Sequence, residues 1–238
     1  MDFKDGLSAF LTPVARNMLG LGPDLLAQLG PADLTILFTD IEDYTRVADT
    51  FGDAASQDLV RAHNVLVRRA LHEFGGHEIK HTGDGIMAWF LSASRAVLAA
   101  VRIQQEVEAY NGSMASAQSL VDARGASDES SSADPTPSVP GGLRVRMGLN
   151  TGEPILEDGD LYGTPVIVAA RVADIAAGRQ IVATDVVRQL AAGKGLVFRP
   201  LGNERLEGMS EPVGLFEVEW RDPEHAGEHG CGGATWSI

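Results

Sequence analysis

Glu78-Ile79-Lys80-His81-Thr82, Gly83-Asp84-Gly85 and Ile86-Met87-Ala88-Trp89-Phe90 follow one another without a break. Two β-rich runs around a glycine-containing turn predict a hairpin. Upstream, Leu59, Ala62, Leu66, Ala70 and Phe74 recur on one face of a helix spanning 53–74, which Gly75-Gly76 ends. Before it, Leu34-Thr35-Ile36-Leu37-Phe38-Thr39 is almost wholly apolar, the pattern of a buried strand, and runs into Asp40. Downstream, Val97, Val101 and Val107 belong to a second helix over residues 92–110. Strands and helices alternate irregularly around a central hairpin. That order predicts an α+β sheet with helices on one face, not a doubly wound parallel sheet.

Past residue 111 the pattern breaks. The run from Ala126 to Pro137, rich in Ser, Asp and Pro, cannot bury enough apolar surface to order itself, so 112–142 is expected to be a disordered insertion. Patterning resumes with the alternating strand Leu143-Arg144-Val145-Arg146-Met147-Gly148-Leu149. Helices are expected over 164–177 and 184–192, with a short strand Gln180-Ile181-Val182-Ala183 between them. Leu215-Phe216-Glu217-Val218-Glu219-Trp220 reads as a last strand. The chain thus divides into an N-terminal helical segment (1–32), one main domain (33–221) and a glycine-rich tail (222–238) expected to be flexible.

Composition narrows the function. The chain has 238 residues, enough for one substantial domain with appendages. Acidic residues outnumber basic ones 33 to 19, giving a formal charge of −14. That excess disfavours nucleic acid and anionic membrane surfaces as partners. No apolar run is long enough to span a bilayer, and the opening Met1-Asp2-Phe3-Lys4-Asp5 lacks the basic start of a secretory signal, so a cytoplasmic location is expected. The single cysteine, Cys231, excludes a disulfide framework within the chain. His225 and His229 near it match no zinc-ligand spacing.

Two aspartates stand out by position. Asp40 ends a buried strand and Asp84 sits at the hairpin tip. If the strand end lies beside that tip, two carboxylates meet, as two divalent ions clamping a triphosphate require. Either aspartate alone would be ordinary turn chemistry.

The surrounding strings are more specific. Leu37-Phe38-Thr39-Asp40-Ile41-Glu42-Asp43-Tyr44-Thr45, Lys80-His81-Thr82-Gly83-Asp84-Gly85, Asp160-Leu161-Tyr162-Gly163 through Ala169-Ala170-Arg171, and Glu211-Pro212-Val213-Gly214-Leu215-Phe216-Glu217-Val218 occur in this order. Together they closely resemble the signature blocks of class III nucleotidyl cyclase catalytic domains, from about Leu34 to Trp220. The resemblance implies a ferredoxin-like class III cyclase fold and conversion of ATP to cyclic AMP and pyrophosphate. Asp40 and Asp84 match the metal-binding aspartates, with the Ile41 carbonyl as a further ligand of two Mg²⁺ or Mn²⁺ ions. Lys80 and Asp160 match the pair that reads the purine, in the form typical of adenylyl rather than guanylyl cyclases. Arg171 matches the arginine that stabilises charge on the α-phosphate. Family members share each active site between two subunits, so a head-to-tail homodimer is implied.

Two positions depart from the family pattern. Ile167 stands where an asparagine usually orients the ribose. Glu207 stands where a lysine usually binds the triphosphate, and a carboxylate there repels phosphate. Arg205, two residues away, is the candidate substitute, with Lys194 and Arg199 as others nearby. With the net charge of −14, weak ATP affinity is expected. These departures keep two alternatives open: an inactive homologue that senses nucleotide or regulates a partner, and a cyclase for GTP or a pyrimidine nucleotide.

Overall fold

The computed structural model describes residues 32–125 and 141–221. The helices expected before residue 32, most of the 126–142 part of the insertion, and the tail from 222 with His225, His229 and Cys231 lie outside the described residues.

The first strand, β1 (Leu34–Ile41), leads through a tight corner at Asp43 into α1 (Tyr44–Phe74), which is kinked at Gly52. The expected hairpin follows as β2 (His77–His81) and β3 (Ile86–Phe90). Next come α2 (Ala93–Gly125) and β4 (Val145–Gly152). A small separate hairpin, β5 (Ile155–Glu157) and β6 (Asp160–Tyr162), precedes α3 (Thr164–Ile175). The chain finishes with β7 (Ile181–Thr184), α4 (Asp185–Leu190), β8 (Phe198–Glu204) and β9 (Val213–Val218).

The main sheet has the order β2-β3-β1-β4-β7-β9-β8. Only the β4–β7 pairing is parallel. Its first half, a β-α-β-β-α-β path with β1 and β3 central, is the expected ferredoxin-like arrangement.

Strand alternation sorts the core into two faces. Leu37 and Ile41 of β1, Ile86, Ala88 and Phe90 of β3, and Val145, Met147 and Leu149 of β4 pack with α1, α2 and α4. The opposite parity, Leu34, Ile36, Met87 and Trp89, packs beside Ala169 of α3, and Val168 and Val172 of α3 join Val182 and Leu215. The expectation of helices on one face is therefore corrected: α3 covers the other. The central strands are apolar at both parities, so both faces demand a cover. Gly148 makes the close packing possible, since a Cβ there would lie 2.2 Å from the Ala173 backbone nitrogen.

The second correction concerns α2. It continues to Gly125, so the first part of the segment expected to be disordered is helical. Residues 113–120 are largely exposed and offer no apolar stripe. The hydroxyls of Ser113, Ser116 and Ser119 donate to carbonyls three or four residues back, and Met114, Ala115, Ala117, Gln118 and Leu120 between and beside them are good helix formers. No described helix is long and apolar enough to cross a membrane.

Candidate active site

The β1–β4 register sets Asp40 directly opposite Arg146, and the β1–β3 register sets Thr39 opposite Ile86. Since residues opposite one another point to the same face, the first pairing aims a guanidinium at Asp40. Arg146 Nε donates to Asp40 Oδ2 at 2.7 Å, while its Nη1 donates to the Asp174 carbonyl of α3 at 3.1 Å. The second pairing brings the hairpin tip alongside β1. Gly85 is needed there, because a Cβ would lie 2.0 Å from the Thr39 carbonyl oxygen.

Asp84 is thereby delivered beside Asp40, as the strand-end and hairpin-tip reading expects. Both line a cavity of about 750 Å³ together with Ile41, Thr82 and Arg146. Partial burial, and then the Asp40 charge, push the Asp84 carboxyl up from 3.8 to about 6, although its own and the Ile41 backbone N–H groups favour the anion. The two carboxylates share one cation: Arg146 answers Asp40, and among the described residues no ion pair answers Asp84.

This donor set fits Mg²⁺ or Mn²⁺. Carboxylate and carbonyl oxygens are the hard ligands such ions prefer. Among the described residues no three metal-ligating side chains converge. A hydrated ion held by two carboxylates, a backbone carbonyl and substrate phosphates needs no such cluster.

Beneath the aspartates lies a buried polar relay. His63 of α1 is fully buried, with Nε2 3.0 Å from Thr39 Oγ1 and Nδ1 3.1 Å from Asn64 Oδ1. Thr39 Oγ1 accepts the Ile86 N–H at 3.1 Å. Burial chiefly lowers the His63 pKa from 6.5 to about 4, so the ring is neutral.

A second cluster stands on the surface. Lys80 Nζ of β2 donates to Asp160 Oδ2 of β6 at 2.5 Å. Partial burial raises the Asp160 pKa, but hydrogen bonds from Lys80 and the Leu161 N–H outweigh it and hold the carboxyl below its usual value. The Tyr162 ring lies 5.6 Å from the Lys80 ammonium. Arg171 on α3 is half-exposed, with Nη2 3.3 Å from Glu207 and Nη1 3.5 Å from Asp174. The start of α3 is anchored by buried Asn150, which donates to the Pro165 carbonyl and accepts the Thr184 hydroxyl.

The structure thus joins Asp40 with Asp84, and Lys80 with Asp160, but the second pair does not line the 750 Å³ cavity, nor does Arg171. Arg205 is turned to the Ser210 carbonyl at 3.3 Å, and Arg199 pairs with Glu219 across β8 and β9. Arg146 and His63 carry no mark in the sequence reading. Arg146 was one of two arginines in an alternating strand, and only the register tells which meets Asp40.

A family model described as the adenylate and guanylate cyclase catalytic domain matches residues 30–218. An adenylate cyclase of Mycosarcoma maydis is 32% identical over 187 residues, which cover 75% of this chain and 7% of that protein. The chain therefore spans a small fraction of that relative's length. An adenylate cyclase of Trypanosoma brucei, solved in its monomeric state, superposes with a TM-score of 0.62 at 27% identity, covering 79% of this chain and 89% of that one. An adenylate/guanylate cyclase/hydrolase from Silicibacter pomeroyi gives 0.60 at 27% identity, covering 78% and 95%. The sheet order, the cavity with its paired aspartates and a family match over most of the length agree, and the chain belongs to the adenylate and guanylate cyclase catalytic domain family.

Proposed function

We propose that the chain is an adenylyl cyclase, converting ATP to 3′,5′-cyclic AMP and pyrophosphate as a cytoplasmic homodimer with shared sites, its catalytic domain spanning residues 33–221. The observation that carries this reading is the convergence of Asp40 and Asp84 on one cavity, where the Asp40 charge helps push the Asp84 carboxyl up to about 6. Two divalent ions held there by Asp40, Asp84 and the Ile41 carbonyl would neutralise the triphosphate and lower the pKa of the ribose 3′-hydroxyl. The 3′-hydroxyl gives its proton to water and its oxygen bonds to the α-phosphorus, while the bond from that phosphorus to the oxygen bridging the β-phosphate breaks and pyrophosphate leaves.

This chain's residues supply the surroundings. Arg146 would be free to hold phosphate oxygens once a bound cation took its place beside Asp40. Lys80 donates to adenine N1 and Asp160 accepts from the exocyclic amine. Arg171 stabilises charge on the α-phosphate. Arg205 is the remaining candidate for a triphosphate contact in place of the family's lysine.

The homodimer rests on a physical argument. Lys80, Asp160 and Arg171 do not line the cavity of Asp40 and Asp84, so a second copy is needed to complete each site. Exposed Ile155, Tyr162 and Ile167, on the β5–β6 hairpin and the first turn of α3, support a face that a partner covers.

The test is cyclic nucleotide formation from ATP, GTP, CTP and UTP, with Mg²⁺ or Mn²⁺, beside Asp84→Ala. Cyclic AMP from ATP, lost in the variant, is the expected result. A second reading, an inactive nucleotide sensor, draws on Arg171, which Glu207 and Asp174 already hold in ion pairs. Nucleotide binding without product from a dimeric sample would select it.

A further inference from the structure

We infer that His63 is a positioning residue for the paired carboxylates, acting through the Thr39 hydroxyl to fix the spacing between Asp40 and Asp84. The inference rests on reading those aspartates as metal ligands. Three hydrogen bonds carry it. Nδ1 of His63 faces Asn64 Oδ1 at 3.1 Å, and only a protonated nitrogen satisfies that oxygen. Nε2 is then an acceptor and takes the Thr39 hydroxyl proton at 3.0 Å, a closer partner than the Ile86 carbonyl at 3.4 Å. With its proton committed, Thr39 Oγ1 turns a lone pair to the Ile86 N–H at 3.1 Å.

The two ends of this relay matter. Thr39 is bonded directly to Asp40, and Ile86 is two residues from Asp84. One buried hydroxyl therefore ties the backbones carrying both carboxylates. The contact of Gly85 with the Thr39 carbonyl brings them together at the same level. Both partners are sealed from water: His63 is 0% and Thr39 1% exposed. The neutral ring, kept so by burial, suits the acceptor role of Nε2. A valine in place of Thr39 would preserve shape but leave His63 Nε2 and the Ile86 N–H without this partner, loosening the register between strand end and hairpin tip. Groups that orient metal ligands from behind act in this way.

The experiment titrates the full chain with Mn²⁺ alone, following free Mn²⁺ by electron paramagnetic resonance, and in parallel measures the Mn²⁺ concentration giving half-maximal cyclic AMP formation. Thr39→Val is expected to weaken Mn²⁺ binding about tenfold while Thr39→Ser retains it. His63→Leu should match Thr39→Val, and the double variant should lose no more than either alone, because the two act in series. If His63→Leu does not fold, the near-isosteric Thr39→Val and Thr39→Ser pair decides. Unchanged Mn²⁺ affinity in Thr39→Val, with binding lost in Asp84→Asn, would overturn the relay and leave the metal reading standing. Binding retained by Asp84→Asn, together with an unchanged Mn²⁺ concentration for half-maximal cyclic AMP formation in that variant, would remove the metal reading and the relay with it.

Discussion

The two halves of the candidate site are built on opposite plans. Asp40 sits on the central strand β1 and Asp84 at the tip of the β2–β3 hairpin beside it, braced by Gly85, the Thr39 hydroxyl and a buried histidine. Lys80, Asp160, Arg171 and Glu207 stand at the surface and satisfy one another's charges. The first half carries two carboxylates against one guanidinium and is rigidly supported; the second is charge-balanced and held by exposed pairs, which contribute about 1 kcal/mol or less each. On the proposed reading the carboxylates would be preorganised for a cation, while the surface pairs would open for a base or a phosphate at small cost.

Breaking the braced half gives the largest effect. Asp84→Ala is expected to lower cyclic AMP formation on the order of a hundredfold or more, measured as kcat with saturating Mn²⁺. Asp84→Asn should do likewise, yet raise the melting temperature of the metal-free protein by removing carboxylate repulsion. A fall in that temperature would mean the pair is not under electrostatic strain.

Acid tests the same half next. His63 is neutral in the fold because burial, and secondarily His81 and Arg68, outweigh the pull of Asp40 and the Asn64 hydrogen bond toward the charged form. The unfolded chain takes up a proton near 6.5 and the folded one only near 4. Stability from this residue is therefore complete above pH 6.5 and drains away as pH falls toward 4, by about 3 kcal/mol. Urea melts at pH 7 and pH 4.5 check it: His63→Gln should lose less between the two than the unaltered chain.

The surface half predicts smaller changes. Lys80→Glu combined with Asp160→Cys should shift the ratio of kcat/KM for ATP over GTP by about tenfold or more toward GTP, since unmatched base-reading groups reject a substrate. An unchanged ratio would discredit these residues as base readers. Smallest of all, Glu207→Lys should release Arg171 and raise kcat/KM for ATP about two- to fivefold, as expected for loss of an exposed pair. A decrease would mean that Glu207 holds Arg171 in a useful orientation.

What the sequence made legible follows the same division. Asp40 announced itself because it ends an apolar strand, and Asp84 because a glycine turn carries it; both signals are local. Arg146 was silent, because alternation in one strand says nothing about which residue faces it on the next. His63 was equally silent, one of two polar residues, with Ser56, on the buried face of α1. The placement of α3 escaped because a helix rich in valine and alanine does not reveal which sheet face it covers. The extension of α2 escaped because residues 113–120 bury no apolar stripe, the signal on which helix reading depends. β8 was missed since Pro200 and Gly202 interrupt its pattern.

Those interruptions have a consequence for assembly. β2 and β8 form the two margins of the main sheet, and each pairs with its neighbour through a shifted register, between Glu78 and Lys80 and between Pro200 and Gly202. An irregular margin, one of them with a proline that offers no N–H, is a poor template for another strand. Copies of this chain are thus discouraged from joining edge to edge into an extended ribbon. The proposed homodimer would then form through side chains presented by loops and sheet faces, where association can stop at a closed pair.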